Sequence, residues 1–262
     1  MNYEIIGICL IKNEDLYIKN IINNIYDFCD KIIILDNMST DNTNEIINKL
    51  KNQEKLNKIR IHNVERALKT NEYIQKYVGR KAWIFGVDGD ELYDKNRLKI
   101  FRKELKSGKY NDYWRICGSQ LNVYDLNLNK KKAEGFLCPP SRWVGKLYNF
   151  RYAIGQLPLS ERLHGEIKFN KKLINNKKFS DFDNDNLRFL HLCFINRTSI
   201  DRSYTNRNRN EKEYQLSKIN KNNLYISKNP EGIRSGIKIC ANYKISQYAT
   251  GDSVKKDIES FF

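Results

Sequence analysis

Ala82-Trp83-Ile84-Phe85-Gly86-Val87-Asp88-Gly89-Asp90-Glu91 is the stretch that decides the fold. Residues 82–87 carry no charge and run straight into Asp88, Asp90 and Glu91. A short continuous apolar run of this kind reads as a strand buried on both faces, as in parallel sheets covered by helices. Two carboxylates at i and i+2 around a glycine can face one cation, and Mg2+ or Mn2+ prefers such oxygen ligands. The same residues could also form an ordinary turn with Asp at its corners. Their position directly behind a strand favours the metal reading.

Working outward, strand-like and helix-like patterns alternate. Residues 5–11 are an apolar run, residues 31–35 read as a second buried strand ending at Asp36, and residues 59–62 as a short third strand. Between them, Ile18, Ile21, Ile22 and Ile25 fall at i, i+3, i+4 and i+7 within residues 16–28, which is one face of a helix. Thr40 or Asp41 can cap a helix carrying Ile46, Ile47 and Leu50. A further helix is predicted over residues 68–78, stopped by Gly79, and another opens at Asp94 or Asn96 and runs through Leu105. This order predicts an α/β fold with a Rossmann-like, mostly parallel central sheet and helices on both faces. Ligands of such sheets bind beyond the carboxyl ends of the strands. Asn13-Glu14, Asp36-Asn37 and the residues 88–91 all fall at such ends.

The second half is less regular. Strands are predicted at residues 113–116, 146–150 and 187–194, with loops at Pro139-Pro140 and residues 183–186. Residues 198–219 read as a very polar helix, and residues 235–248 and 254–262 as a helical tail. The pattern divides the chain into residues 1–110, residues 111–195 and a helical extension over 196–262.

The chain has 262 residues and a formal net charge of +16, which favours anionic partners such as nucleotide diphosphates or acidic lipid surfaces. Zinc-finger spacing and RNA-recognition aromatics are missing, so a nucleic-acid-binding protein is the weaker reading and no nucleic-acid partner is expected. Cysteines 9, 29, 117, 138, 193 and 240 form no CxxC pair and read as buried free thiols. No glycine-rich fingerprint follows the first strand and no GxxxxGK loop is present, which sets aside dinucleotide and P-loop sites. The start lacks a basic region ahead of its first apolar run, and no apolar stretch reaches membrane-spanning length. A cytoplasmic protein is expected, with peripheral contact at the inner face of an anionic membrane.

Ile11-Lys12-Asn13-Glu14, Asp36-Asn37-Met38-Ser39-Thr40-Asp41-Asn42-Thr43 and Val87-Asp88-Gly89-Asp90-Glu91, with Arg66, Asn71 and Trp83 between them, resemble the early motifs of family-two glycosyltransferases. The subgroup they most resemble contains the lipopolysaccharide-core glucosyltransferases. The likeness covers roughly the first hundred residues. It implies a GT-A fold, a UDP-sugar as the substrate that gives up its sugar, a bound Mn2+ or Mg2+, and inversion at the anomeric carbon. By position, Asp36 would contact the nucleoside, Asp88 the ribose or metal, and Asp90 the metal directly; Glu14 and Arg66 would line the nucleotide pocket. Met38 stands where the family usually has glycine.

Inversion by one displacement needs a general base for the proton of the acceptor, which could be a glycan, a lipid-linked sugar, a protein or a peptide. Leu163-His164-Gly165-Glu166 is similar to a His-Glu element of the related subgroup with a glycine inserted. Glu166 is therefore the first candidate base and Glu161 the second; Asp181, Asp183 and Asp185 are further candidates that read more naturally as a polar loop. His191, in the alternating Phe189-Leu190-His191-Leu192, could ligate the metal or be a satisfied core histidine, and His164 is open in the same way. Arg197, Arg202, Arg207 and Arg209 could clamp phosphates or form a solvated face. Trp114, Trp143, Tyr148 and Tyr152 could stack on a sugar or simply pack in the core. The main alternative enzyme is a nucleotidyltransferase on a related fold, which would release pyrophosphate from a nucleoside triphosphate.

Overall fold

The computed structural model describes residues 3–52, 57–137, 144–159, 163, 167–170, 175–177, 182–192, 195–200 and 253–262. Its centre is a seven-stranded sheet in the order β10-β6-β9-β4-β1-β2-β3. Here β1 is Glu4–Ile11, β2 Lys31–Asp36, β3 Ile59–Asn63, β4 Ala82–Asp88, β6 Tyr113–Gly118, β9 Val144–Asn149 and β10 Asn175–Lys177. The first four strands in the chain are mutually parallel, and β9 alone runs against its neighbours β4 and β6. The mostly parallel sheet is thus borne out.

Alternation along these strands sorts their side chains onto two faces. Ile5, Cys9 and Ile11, with Ile32, Ile34, Trp83, Phe85 and Val87, face one side. There they meet Ile18, Ile21, Ile22 and Ile25 of α1 (Ile18–Tyr26), Ile47 and Leu50 of α2 (Thr43–Lys51), and Leu98, Phe101 and Leu105 of α3 (Lys95–Lys106). Ile6, Ile8, Leu10, Ile33, Leu35 and Ile84 face the other side, under Val64, Ile74, Tyr77, Phe150, Leu157 and Phe169. That second layer is not the α-helix predicted over residues 68–78. It is two 3-10 helices, Ala67–Tyr73 and Gln75–Tyr77. Leu68 is exposed while Thr70 and Asn71 are buried, so the apolar positions do not make one helical face.

A second sheet, in the order β12-β8-β7-β11-β5, stands beside the first. It consists of β5 (Glu91–Tyr93), β7 (Gln120–Asn127), β8 (Lys132–Leu137), β11 (Phe189–His191) and β12 (Ser253–Asp257). The sequence reading missed β5, β7 and β8. It also assigned residues 254–262 to a helical tail. They form instead a strand antiparallel to β8 followed by a 3-10 turn, Glu259–Phe261. Phe261 is buried against the helix-side core, and its carbonyl accepts from Asn24 Nδ2 of α1 at 3.0 Å. Residues 198–200, the start of the helix expected at 198–219, are not helical; the rest of that helix, and the one expected at 235–248, lie outside the described residues. Cys9, Cys29 and Cys117 are buried free thiols, as the spacing implied. No described helix is long and apolar enough to cross a membrane.

Candidate active site at the strand ends

The carboxyl ends of β2, β1 and β4 lie side by side, because Ile11 pairs with Asp36 and Leu10 pairs with Asp88. Beyond β1 the chain turns through Asn13, whose φ of 54° is a left-handed conformation that Asn tolerates better than most residues. Asn13 Oδ1 accepts from Thr40 N at 2.8 Å, Asn13 N donates to Ser39 Oγ at 2.9 Å, and Glu14 N donates to Thr43 Oγ1 at 2.7 Å. The first two motifs are therefore one stitched unit. Asp36, buried at the end of β2, accepts from Ser39 N at 3.1 Å and from Asn44 Nδ2 at 3.0 Å. Asp41 Oδ1 accepts from Thr43 N at 2.9 Å in the turn ahead of α2, but the cap position is Asn42, not Thr40 or Asp41 as expected.

At the end of β4 the chain folds straight back into β5. Asp88 N donates to Glu91 Oε2 at 3.1 Å across the turn. Gly89 is required by contact: a Cβ there would sit 2.6 Å from Glu14 Cγ. Glu14 is itself buried, so the β1 loop lies on the backbone of the acidic turn. Glu91 is not at the surface. It pairs with the buried Lys146 of β9 and accepts from Tyr93 Oη at 2.9 Å. Burial raises its carboxyl well above the usual range, and Lys146 pulls it back. Lys146 Nζ also lies 3.8 Å from Asp88 Oδ2.

Asp90 is also buried. The Arg197 guanidinium contacts its Oδ2 and lies 3.6 Å from Glu14 Oε1. His191 Nε2 is 3.6 Å from the same Asp90 oxygen. Strand pairing puts it there: β11 lies between β5 and β7, setting His191 opposite both Glu91 and Asn122. Asn122 Oδ1 is 2.8 Å from His191 Nδ1, which leaves Nε2 on the Asp90 side. Burial pushes the imidazole down to about 4, against the pull of Asp90, and leaves it neutral at pH 7.

The structure brings Glu14, Asp88, Asp90 and His191 together, with Asp36 joined to them through Ser39 and Asn13. Arg66 is exposed at the start of the first 3-10 helix, and no described contact ties it to this group. Glu166, Glu161, His164, Asp181, Trp143, Arg202, Arg207 and Arg209 lie outside the described residues. Asp185 is corrected as a base candidate. Its two oxygens accept from Ser119 N at 2.5 Å and Leu187 N at 2.6 Å, so it holds a turn. Asp183 pairs with Lys256 at the surface. Trp114 and Tyr148 pack with Phe169 in the core, and Tyr152 donates to Asn111 O. Sequence reasoning missed Lys146 and Asn122, and took Arg197 only as one of a cluster.

Two carboxylates and a neutral imidazole nitrogen suit Mg2+ or Mn2+ by type. An imidazole nitrogen and a carboxylate oxygen 3.6 Å apart also fit a shared cation. Among the described residues, no three His, Cys, Asp or Glu side chains converge on one point, because Asp88 is turned towards Lys146.

A family model described as glycosyl transferase family 2 matches residues 8–170, which include all three strand ends. No curated protein is matched. Among solved structures, S. aureus TarS 1-349 in complex with UDP is similar at 19% identity and a TM-score of 0.37, over 49% of this chain and 38% of that one. The mannosyltransferase PcManGT from Pyrobaculum calidifontis, in complex with GDP-Man and Mn2+, is similar at 13% identity and a TM-score of 0.36, over 45% of this chain and 35% of that one. Glucosyl-3-phosphoglycerate synthase from Mycobacterium tuberculosis, in complex with Mn2+, UDP and glucosyl-3-phosphoglycerate, is similar at 16% identity and a TM-score of 0.35, over 45% and 44%. The chain spans less than half the length of each of these proteins. With the family model matched over more than half of its residues, this chain belongs to glycosyl transferase family 2, and its mostly parallel α/β sheet is the family's GT-A fold.

Proposed function

We propose that the protein is a metal-assisted, inverting glycosyltransferase that moves a hexose or N-acetylhexosamine from a UDP-sugar to a glycan, lipid-linked or protein acceptor. The observation that carries this is the acidic turn at the end of β4, laid against Glu14 of the β1 loop and flanked by His191. That is where an open parallel sheet binds its ligand.

Asp36, held by Ser39 and Asn44, presents a fixed acceptor oxygen to the nucleoside. Asp90, with His191 beside it, would hold Mn2+ or Mg2+, which when bound neutralises charge on the departing diphosphate; Asp88, turned towards Lys146, would join them only by reorienting. Glu91 and Lys146 lie behind this group. Their pairing fixes the backbone of the turn, because Glu91 also holds Asp88 N. The base that takes the acceptor's proton belongs to the acceptor side, where Glu166 is the first candidate and Glu161 the second. Within the family, the motifs resemble those of the lipopolysaccharide-core-like subgroup, and a cytoplasmic, membrane-peripheral setting suits the +16 charge.

The test is a panel of nucleotide-sugars scored for Mn2+-dependent release of the nucleotide. A UDP-sugar is expected to be turned over by the native protein. Asp90→Ala is expected to lower the rate at least ~100-fold with the unfolding midpoint unchanged. An Asp90→Ala protein of native activity would refute the assignment. Pyrophosphate release from a nucleoside triphosphate would favour the nucleotidyltransferase reading instead.

A further inference from the structure

Residues 195–199 close over all three strand ends. Leu16 N, beyond β1, donates to Arg197 O at 3.1 Å. Ser199 N donates to Asp15 Oδ1 at 2.7 Å, and Thr198 Oγ1 donates to Asp41 Oδ2 at 2.6 Å, beyond β2. Between these ties the Arg197 side chain reaches Asp90, beyond β4. Asp90 is mostly shielded, with 11% of its side chain exposed, so this contact is not an ordinary surface ion pair.

The Asp90 oxygen in question is the same one that lies 3.6 Å from His191 Nε2. A divalent cation on that oxygen would sit against a guanidinium, and the two positive charges repel at that distance. Metal binding there is opposed for as long as the Arg197 side chain stays on Asp90. A nucleoside diphosphate offers it an alternative partner, since the guanidinium fork matches phosphate oxygens as well as it matches a carboxylate. The ties at Leu16, Asp15 and Asp41 do not involve the guanidinium, so the Arg197 side chain can turn while its neighbours stay anchored.

We propose that Arg197 is a built-in counter-ion of Asp90 that keeps divalent metal off this carboxylate until a nucleoside diphosphate draws the guanidinium away, so that metal and nucleotide load together. This rests on the reading of Asp90 as a metal-binding carboxylate.

The experiment follows Mn2+ binding by the loss of the free-ion paramagnetic resonance signal, with and without UDP. It uses the native protein, Arg197→Met and Asp90→Asn. Without UDP, Arg197→Met is expected to bind Mn2+ about 10-fold more tightly than the native protein, a typical size for a coupling between sites. UDP is expected to tighten Mn2+ binding markedly in the native protein and much less in Arg197→Met. Equal Mn2+ affinity of the two without UDP, or equal tightening by UDP, overturns the role of Arg197 while loss of binding in Asp90→Asn leaves the site reading intact. Mn2+ binding untouched by Asp90→Asn overturns both. A measurement on the native protein alone guards against a variant that fails to fold. Mn2+ with UDP is expected to raise the unfolding midpoint at concentrations where Mn2+ alone does not. A shift by Mn2+ alone at those concentrations contradicts the proposal.

Discussion

Gly89 shows how closely the site is built around single residues. A methyl group there would lie 2.6 Å from Glu14 Cγ, and Glu14 has no room to swing because it is buried. Gly89→Ala is therefore expected to cost about 1–3 kcal/mol of stability by overpacking and to weaken UDP binding. Urea denaturation and a nucleotide titration would check both, and native values for both would show that the two loops are not in contact. His191 gives a pH signature. Its folded value near 4 lies below the ordinary 6.5, so between those values the unfolded chain binds the extra proton. Its contribution to stability is accordingly present above pH 6.5 and lost as pH falls through 4. The imidazole signals of His191 in a magnetic resonance titration should move near pH 4; movement near 6.5 would mean the ring is not buried as described. At this scale Asp36 and Asp88 were legible because each directly follows an apolar run, and Glu14 and Asp90 because each lies three residues beyond one. Lys146 was not, since one lysine in a chain with 47 Lys and Arg residues carries no mark of burial. Its partner Glu91 supplies the reason it is inside.

Among the elements, the loop after β2 carries a strained residue. Met38 has φ of 56° and is exposed, in the position where the family usually has glycine. A left-handed side-chain residue costs roughly 1–2 kcal/mol, part of which glycine gives back through its freer unfolded chain. Met38→Gly is expected to raise stability by about 0.5–1 kcal/mol in urea denaturation; a destabilised variant would show that Met38 makes contacts worth more than its strain. The parallel strands were legible because burial on both faces leaves a solid apolar run. The β7–β8 hairpin was not, because β7 buries the polar Gln120 and Asn122, and its outer half alternates. The 3-10 helices escaped for a related reason. Asn71 is buried by donating to Pro158 O at 2.8 Å, a tertiary bond that no periodicity announces.

For the whole molecule, the last ten residues are part of the body of the protein. β12 extends the second sheet, Ile258 and Phe261 fill the helix-side core, and Ser260 Oγ donates to Asp94 at the cap of α3. Phe261→Ala should therefore cost about 3–5 kcal/mol, measured by urea denaturation. A cost under about 1 kcal/mol would mean that the chain end is not docked. This closure could not be read locally, because residue 261 meets Asn24 across almost the full length of the chain.

The central claim is that the acidic turn behind β4 receives a nucleotide and a metal. The most direct measurement is diffraction from crystals grown with UDP and Mn2+, collected at a wavelength where manganese scatters anomalously. The account expects one strong anomalous peak at coordinating distance from the Asp90 carboxylate, with the diphosphate beside it and the nucleoside towards Asp36. A nucleotide bound elsewhere, or manganese bound without Asp90, would contradict it.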